Sequence, residues 1–269
     1  LAMSGASSVS TTNTSRLAIV DMTARNGRLM WLGAAAWTAV ALSVVLIFFV
    51  ARTAQATMGG QLQRIFYFHV PAAWVAYLAF AIVFLASIAY LRTNDRRWDI
   101  LAHSSAEIGV IFLGLVLITG PIWAHPVWGT WWQWDARLTS TLVTWLTYVG
   151  YLFVRNLTVD PRRGGRLAAV IGIVGLVNIP IVHFSVYWWR TLHPTGPTPA
   201  NPVANSGLGG PELAAFFTSL AAFTLLFVWL LAIRTRLGRL AASVEDLELE
   251  AVTGRPRATA AAPREVAVT

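Results

Sequence analysis

Six stretches of this chain are apolar over about the 20 residues that a hydrocarbon core some 30 Å thick requires. They run Leu29–Val50, Pro71–Leu91, Leu101–Gly120, Leu138–Phe153, Leu167–Phe184 and Pro211–Ile233. No water is available in a bilayer core, so the backbone N–H and C=O groups of such spans must pair internally, as they do in a helix. The expected fold class is all-α, a polytopic membrane protein with six transmembrane helices. Composition agrees, with 56% of residues hydrophobic and only 12% charged, about half the charge of a soluble domain.

Charge placement orients the helices. All 20 basic residues are arginines. Sixteen lie in the two tails and in the second and fourth loops, against Arg52, Arg64, Arg137 and Arg190 in the other three loops. The excess predicts that both the N- and C-termini are cytoplasmic. The expected organisation is a disordered cytoplasmic tail over 1–28, a six-helix membrane domain over 29–233 and a cytoplasmic tail over 234–269. The membrane domain carries an outer-face loop at 121–137. Residues 1–15 are rich in Ser, Thr and Ala and show no signal-peptide cleavage pattern. Pro71 and Pro211 suit first-turn positions, where a missing N–H costs least. The net charge of +8 serves topology, because the arginines flank apolar spans, and nucleic acid is not an expected partner.

The outer side then collects the unusual residues. Trp128-Gly-Thr-Trp-Trp-Gln-Trp-Asp-Ala-Arg places four tryptophans in seven residues, with Trp123 just upstream. Indoles at this density suit a large planar ligand, or an aromatic belt at the membrane surface. As a helix, the segment would set Trp128, Trp132 and Asp135 along one face. His69 lies directly before the second span and His183 at the outer end of the fifth, both among aromatic and aliphatic neighbours. Ionisable groups in such places are costly to desolvate and mark functional sites. Two neutral imidazoles would make a natural axial pair for a haem iron; capping a helix or bonding a carbonyl is the plainer alternative for each.

Other polar residues carry weaker signals. Arg137 or Arg190 could pair with a haem propionate, or simply anchor a wet loop. His125 and His193 sit in Pro-rich outer loops as surface residues or spare ligands. His103 and Glu107, four apart toward the cytoplasmic end, read as a structural pair. The chain has no cysteine, which excludes disulfides, thiolate metal sites and thioether attachment of haem. It also lacks a phosphate-binding glycine loop and a nucleophile elbow, so neither ATP hydrolysis nor enzymatic catalysis is expected of it. A transporter or channel subunit is the alternative reading. Its polar lining would rest on Asn178 and Thr139, Thr141, Thr144 and Thr147, a thin set.

The segment from Trp128 to Ser140 resembles the tryptophan-rich WWD signature of the haem-handling proteins of cytochrome c biogenesis. Three further stretches, Tyr67-Phe-His-Val-Pro-Ala-Ala, Asn178-Ile-Pro-Ile-Val-His-Phe-Ser-Val and Trp188-Trp-Arg-Thr-Leu-His, are similar to the CcmC (haem exporter protein C) family in particular. The resemblance covers roughly residues 30–235. It departs from the family at Thr141, where a glutamate is frequent. Larger relatives of the CcmF and CcsA types carry the signature with more spans.

The resemblance implies a haem-binding membrane protein of cytochrome c maturation in the bacterial inner membrane, with its haem site on the periplasmic side. His69 and His183 would be the axial iron ligands. Trp128, Gly129, Trp131, Trp132, Trp134 and Asp135 would cradle a non-covalent, transient b-type haem, with Arg137 following. It also implies delivery to the periplasmic haem chaperone CcmE, beside the ABC-type subunits CcmA and CcmB and the small membrane protein CcmD. CcmA would then supply the ATPase.

Overall fold

A computed structural model describes residues 7–53, 60–158, 160–189, 193 and 209–254, without the side chains of 7–25 and 156. The described residues form helices α1 (Ser7–Val45), α2 (Phe66–Thr93), α3 (Arg96–Trp128), α4 (Ala136–Leu157), α5 (Pro161–Leu176), α6 (Asn178–Trp188) and α7 (Gly210–Thr253). A π-turn, Leu46–Val50, ends α1, and a 3₁₀ turn, Gly60–Ile65, leads into α2. The molecule is an all-α bundle of long apolar helices. Five helical stretches are long and apolar enough to cross a membrane: Asn26–Val50, Gly60–Thr93, Arg96–Trp128, Pro161–Trp188 and Gly210–Thr253.

The helix α4, which covers the fourth expected span, falls short of that measure because it carries Arg137 and a run of Ser and Thr. Its hydroxyls bond to carbonyls of their own helix: Ser140 to Ala136, Thr141 to Arg137, Thr144 to Ser140 and Thr147 to Val143, at 2.6–2.8 Å. That internal pairing lets a polar helix sit among apolar ones.

Three expectations need correction. Pro71 lies in the sixth position of α2 and not in its first turn, because the helix starts at Phe66; Pro211 does sit in the first turn of α7. The fifth span is broken at Val177 into α5 and α6. Pro180 lacks the N–H that would bond to Leu176, so the ladder cannot run through. His125 belongs to α3, which continues past Pro121 and Pro126 to Trp128. Helix α1 begins at Ser7, ahead of the first apolar span; once an apolar span nucleates a helix, propagation is cheap.

Small residues set the packing. In α5, a Cβ on Gly172 would fall 2.9 Å from Val83 Cγ1, and one on Gly175 would fall 3.1 Å from the Tyr148 ring. On α3, Gly109 leaves room for Phe80, which stacks on Tyr148 with centroids 3.6 Å apart. Lipid tails are as apolar as Leu, so close helix approach through Gly and Ala replaces the hydrophobic drive available in water. Phe80, Val83, Leu113, Tyr148 and Tyr151 are buried in this core.

The two ends of the bundle differ. One, the arginine end, is tied by Glu107–Arg234 at 2.6–2.8 Å, Asp99–Arg155, Arg96 with Glu245 and Asp246, and Arg166–Asn94. The other holds the ends of α2, α3, α4 and α6 that carry His69, the tryptophans and His183.

Candidate functional site

His69 sits one turn into α2, half-buried against α3. Its Nδ1 lies 2.8 Å from Thr119 Oγ1, and that hydroxyl gives its single proton to Leu115 O, also at 2.8 Å. Thr119 must therefore accept, and the hydrogen-bond network assigns the Nδ1–H tautomer to His69. Nε2 keeps its lone pair, the form in which a histidine ligates a metal with its second nitrogen held by the protein. Gly120 gives the ring clearance, since a Cβ there would meet His69 Cε1 at 3.4 Å. Sequence reading missed both residues. The one signal was a hydroxyl closing the apolar run 108–118.

His183 is aimed by a different device. The break at Val177 starts α6 afresh, and Asn178 ties it to α4 by donating to Ser140 O (2.8 Å) and Thr144 Oγ1 (2.7 Å). Arg137 lies one turn before Ser140 on α4. Its guanidinium is half-buried and within Coulombic range of His69, His183, Tyr77, Tyr187 and Asp135. It makes no hydrogen bond or ion pair among the described residues. The structure thus brings His69, His183 and Arg137 into one electrostatic neighbourhood, although they are far apart in the chain.

The tryptophan segment is not a helix, contrary to the arrangement weighed from its spacing. Gly129 takes φ 75° and its N–H caps α3 by bonding to His125 O at 2.9 Å. Only glycine adopts that backbone without strain. Residues 130–135 then run without helical structure to Asp135, whose carboxylate caps α4 by accepting from Leu138 N at 2.8 Å. This connector presents the indoles in different directions. Trp131 and Trp134 are 57% and 75% exposed, and Trp131 stacks on His125 with centroids 4.2 Å apart. Trp128 and Trp132 are half-buried. Trp132 Nε1 is buried with no partner among the described residues, a donor left for an acceptor that a ligand could bring.

Other expected residues take structural places. His103 Nε2 lies 3.5 Å from Glu107 at the arginine end, as expected of a structural pair. His193 faces the Trp128 ring at 6.4 Å. Arg190 lies outside the described residues. The side chains that a channel would need are mostly engaged: Asn178, Thr141, Thr144 and Thr147 all bond within or between helices.

Together these features define a polytopic membrane protein with a tryptophan-rich site, flanked by histidines, at one end of its bundle. The family model described as "CcmC: Heme exporter protein C" matches residues 13–249. The heme exporter protein C of Bradyrhizobium diazoefficiens is 38% identical over 197 residues, covering 72% of this chain and 74% of its own length. That of Haemophilus influenzae is 32% identical, covering 74% of this chain and 80% of its own. The Escherichia coli K12 protein of the same name is 42% identical over 134 residues, 50% of this chain and 55% of its own. This chain belongs to the CcmC, heme exporter protein C, family.

Proposed function

We propose that this protein holds haem non-covalently at its tryptophan end and delivers it to the periplasmic chaperone CcmE during cytochrome c maturation. His69 and His183 are the axial ligands of the iron. Arg137 pairs with a propionate, and Trp128, Trp131, Trp132 and Trp134 lie against the porphyrin. Gly129 and Asp135 shape the connector that carries the indoles. The reading rests above all on Arg137, a half-buried guanidinium without an ion pair among the described residues, within Coulombic range of two imidazoles. A buried cation left in that state is costly unless an anionic ligand completes the site.

Haem is cargo here, a transient b-type ligand that the cysteine-free chain cannot hold by thioether bonds. Two imidazoles fill both axial positions and so keep oxygen from the iron while the haem waits. The chain makes six passes through the bacterial inner membrane with both termini cytoplasmic, and the tryptophan end faces the periplasm. CcmA, CcmB and CcmD are its partners, with ATP hydrolysis supplied by CcmA. Its own task is retention and handover, not bond formation.

Purification in mild detergent with haem supplied tests the reading. The expected spectrum is that of a low-spin bis-imidazole haem. His69→Ala or His183→Ala should perturb it, and added imidazole should partly restore it. Both variants keeping the wild-type spectrum would exclude this ligand pair, and a protein that stays colourless would exclude haem binding.

A further inference from the structure

The 3₁₀ turn Gly60–Ile65, just before the His69 helix, is tied to its surroundings by three side chains. Gln61 Nε2 donates to Thr53 Oγ1 at 3.0 Å. Arg64 Nη1 donates to Phe48 O at 3.0 Å, with its guanidinium 5.2 Å from the centre of the Phe48 ring. Between them, Gln63 Oε1 accepts from Trp123 Nε1 at 3.0 Å. Trp123 lies one turn beyond Thr119 on α3 and meets Trp128 edge to face, with centroids 5.1 Å apart and planes at 85°. Trp128 is the last residue of α3 before the turn at Gly129 opens the tryptophan connector.

Two polar ties therefore join the start of α2 and the turn before it to the end of α3: His69 with Thr119, and Gln63 with Trp123. The first orients an imidazole. The second fixes an indole four residues further along the same helix. That indole in turn supports the first ring of the connector. An edge-to-face pair holds its geometry only while both rings are positioned, and the N–H of a half-buried indole needs its acceptor.

We propose that Gln63 is a positioning residue of the haem site. Through Trp123 it sets the pose of Trp128, and of the connector beyond, relative to His69. It touches neither haem nor iron. The inference rests on the haem-holding reading for its consequence, haem retention; the contacts of the Gln63–Trp123–Trp128 latch do not themselves depend on that reading.

The test uses the full chain in detergent or nanodiscs with three variants. Gln63→Leu keeps the volume and removes the acceptor, Trp123→Phe removes the donor, and Gln63→Glu retains an acceptor oxygen. Transfer of haem to excess apomyoglobin gives the loss rate, and band positions report the axial ligands. Gln63→Leu and Trp123→Phe should each speed haem loss about three- to tenfold, the size of one hydrogen bond, with band positions unchanged. The double variant should be no faster than the quicker single one, and Gln63→Glu should stay within about twofold of wild type on the same scale. Unchanged loss rates, additive effects in the double variant or a shift of the bands would overturn the proposal. Limited proteolysis of the connector in the haem-free protein separates the two readings. Faster cleavage in Gln63→Leu and Trp123→Phe supports the latch even if wild type binds no haem, and cleavage equal to wild type overturns it.

Discussion

Replacing Thr119 with valine keeps the shape of the side chain and removes one oxygen. His69 then loses the acceptor that holds its Nδ1–H at 2.8 Å. Leu115 O loses only its second bond, because the helical N–H partner remains. In the haem-free variant the imidazole can rotate or change tautomer to satisfy itself. With iron on Nε2 it cannot, since the proton must stay on Nδ1. The cost therefore falls on the bound state and weakens affinity. An unpaired buried donor costs about 1–3 kcal/mol, and a half-buried ring belongs at the lower end. A cost of about 1.4 kcal/mol corresponds to a tenfold weaker haem dissociation constant, which agrees with the effect usual for a residue that orients a metal ligand. Titration of the haem-free protein with haem, followed at the Soret band, measures it. Thr119→Ser should bind within about twofold of wild type, since its hydroxyl can make both bonds. Valine binding haem as tightly as wild type would refute the claim that this hydroxyl sets the tautomer of His69.

Three further outcomes are expected. Asn178→Leu removes two bonds from α6 to α4 and should lower stability by about 1–3 kcal/mol; thermal unfolding should show this, together with a change in the haem spectrum as His183 loses its aim. Gly172→Val drives a side chain into Val83 and Tyr151 and should cost about 1–3 kcal/mol or more, seen as a lower Tm and reduced yield of folded protein. Asp95 caps α3, and hydrogen bonds from the Arg97 side chain and backbone hold its carboxyl below the usual range. A lowered folded-state pKa means that this stabilisation is complete above the ordinary aspartate range and fades as the pH falls through the lowered value. Hydrogen exchange at the Arg97 amide should therefore quicken, relative to its intrinsic rate, only in acid.

Much of the fold was legible because a bilayer admits few solutions. Long apolar runs flanked by arginines translate almost directly into helices, and five of the six expected spans meet the length and composition needed to cross. The tryptophan string and the two histidines stood out for the same reason, as polar or amphipathic groups that an apolar setting tolerates only for a purpose. What could not be read was conformation in the non-repeating parts. Spacing within Trp128–Asp135 fits a helix, yet Gly129 at positive φ and the cap made by Asp135 turn it into a connector. A proline two places after Asn178 signals a break, but not which helix the new segment will join.

The order of residues alone determined that this chain is a helical membrane protein with indoles and imidazoles gathered toward one set of loops, because hydrophobic length and charge bias act locally along the chain. Only the tertiary structure decided that Thr119 orients His69, that Asn178 docks the His183 helix on α4, and that Arg137 lies within electrostatic reach of both imidazoles. Those relations join residues from 34 to 68 positions apart. Close packing of helices through glycine and alanine created them, and no periodicity within a single helix encodes them.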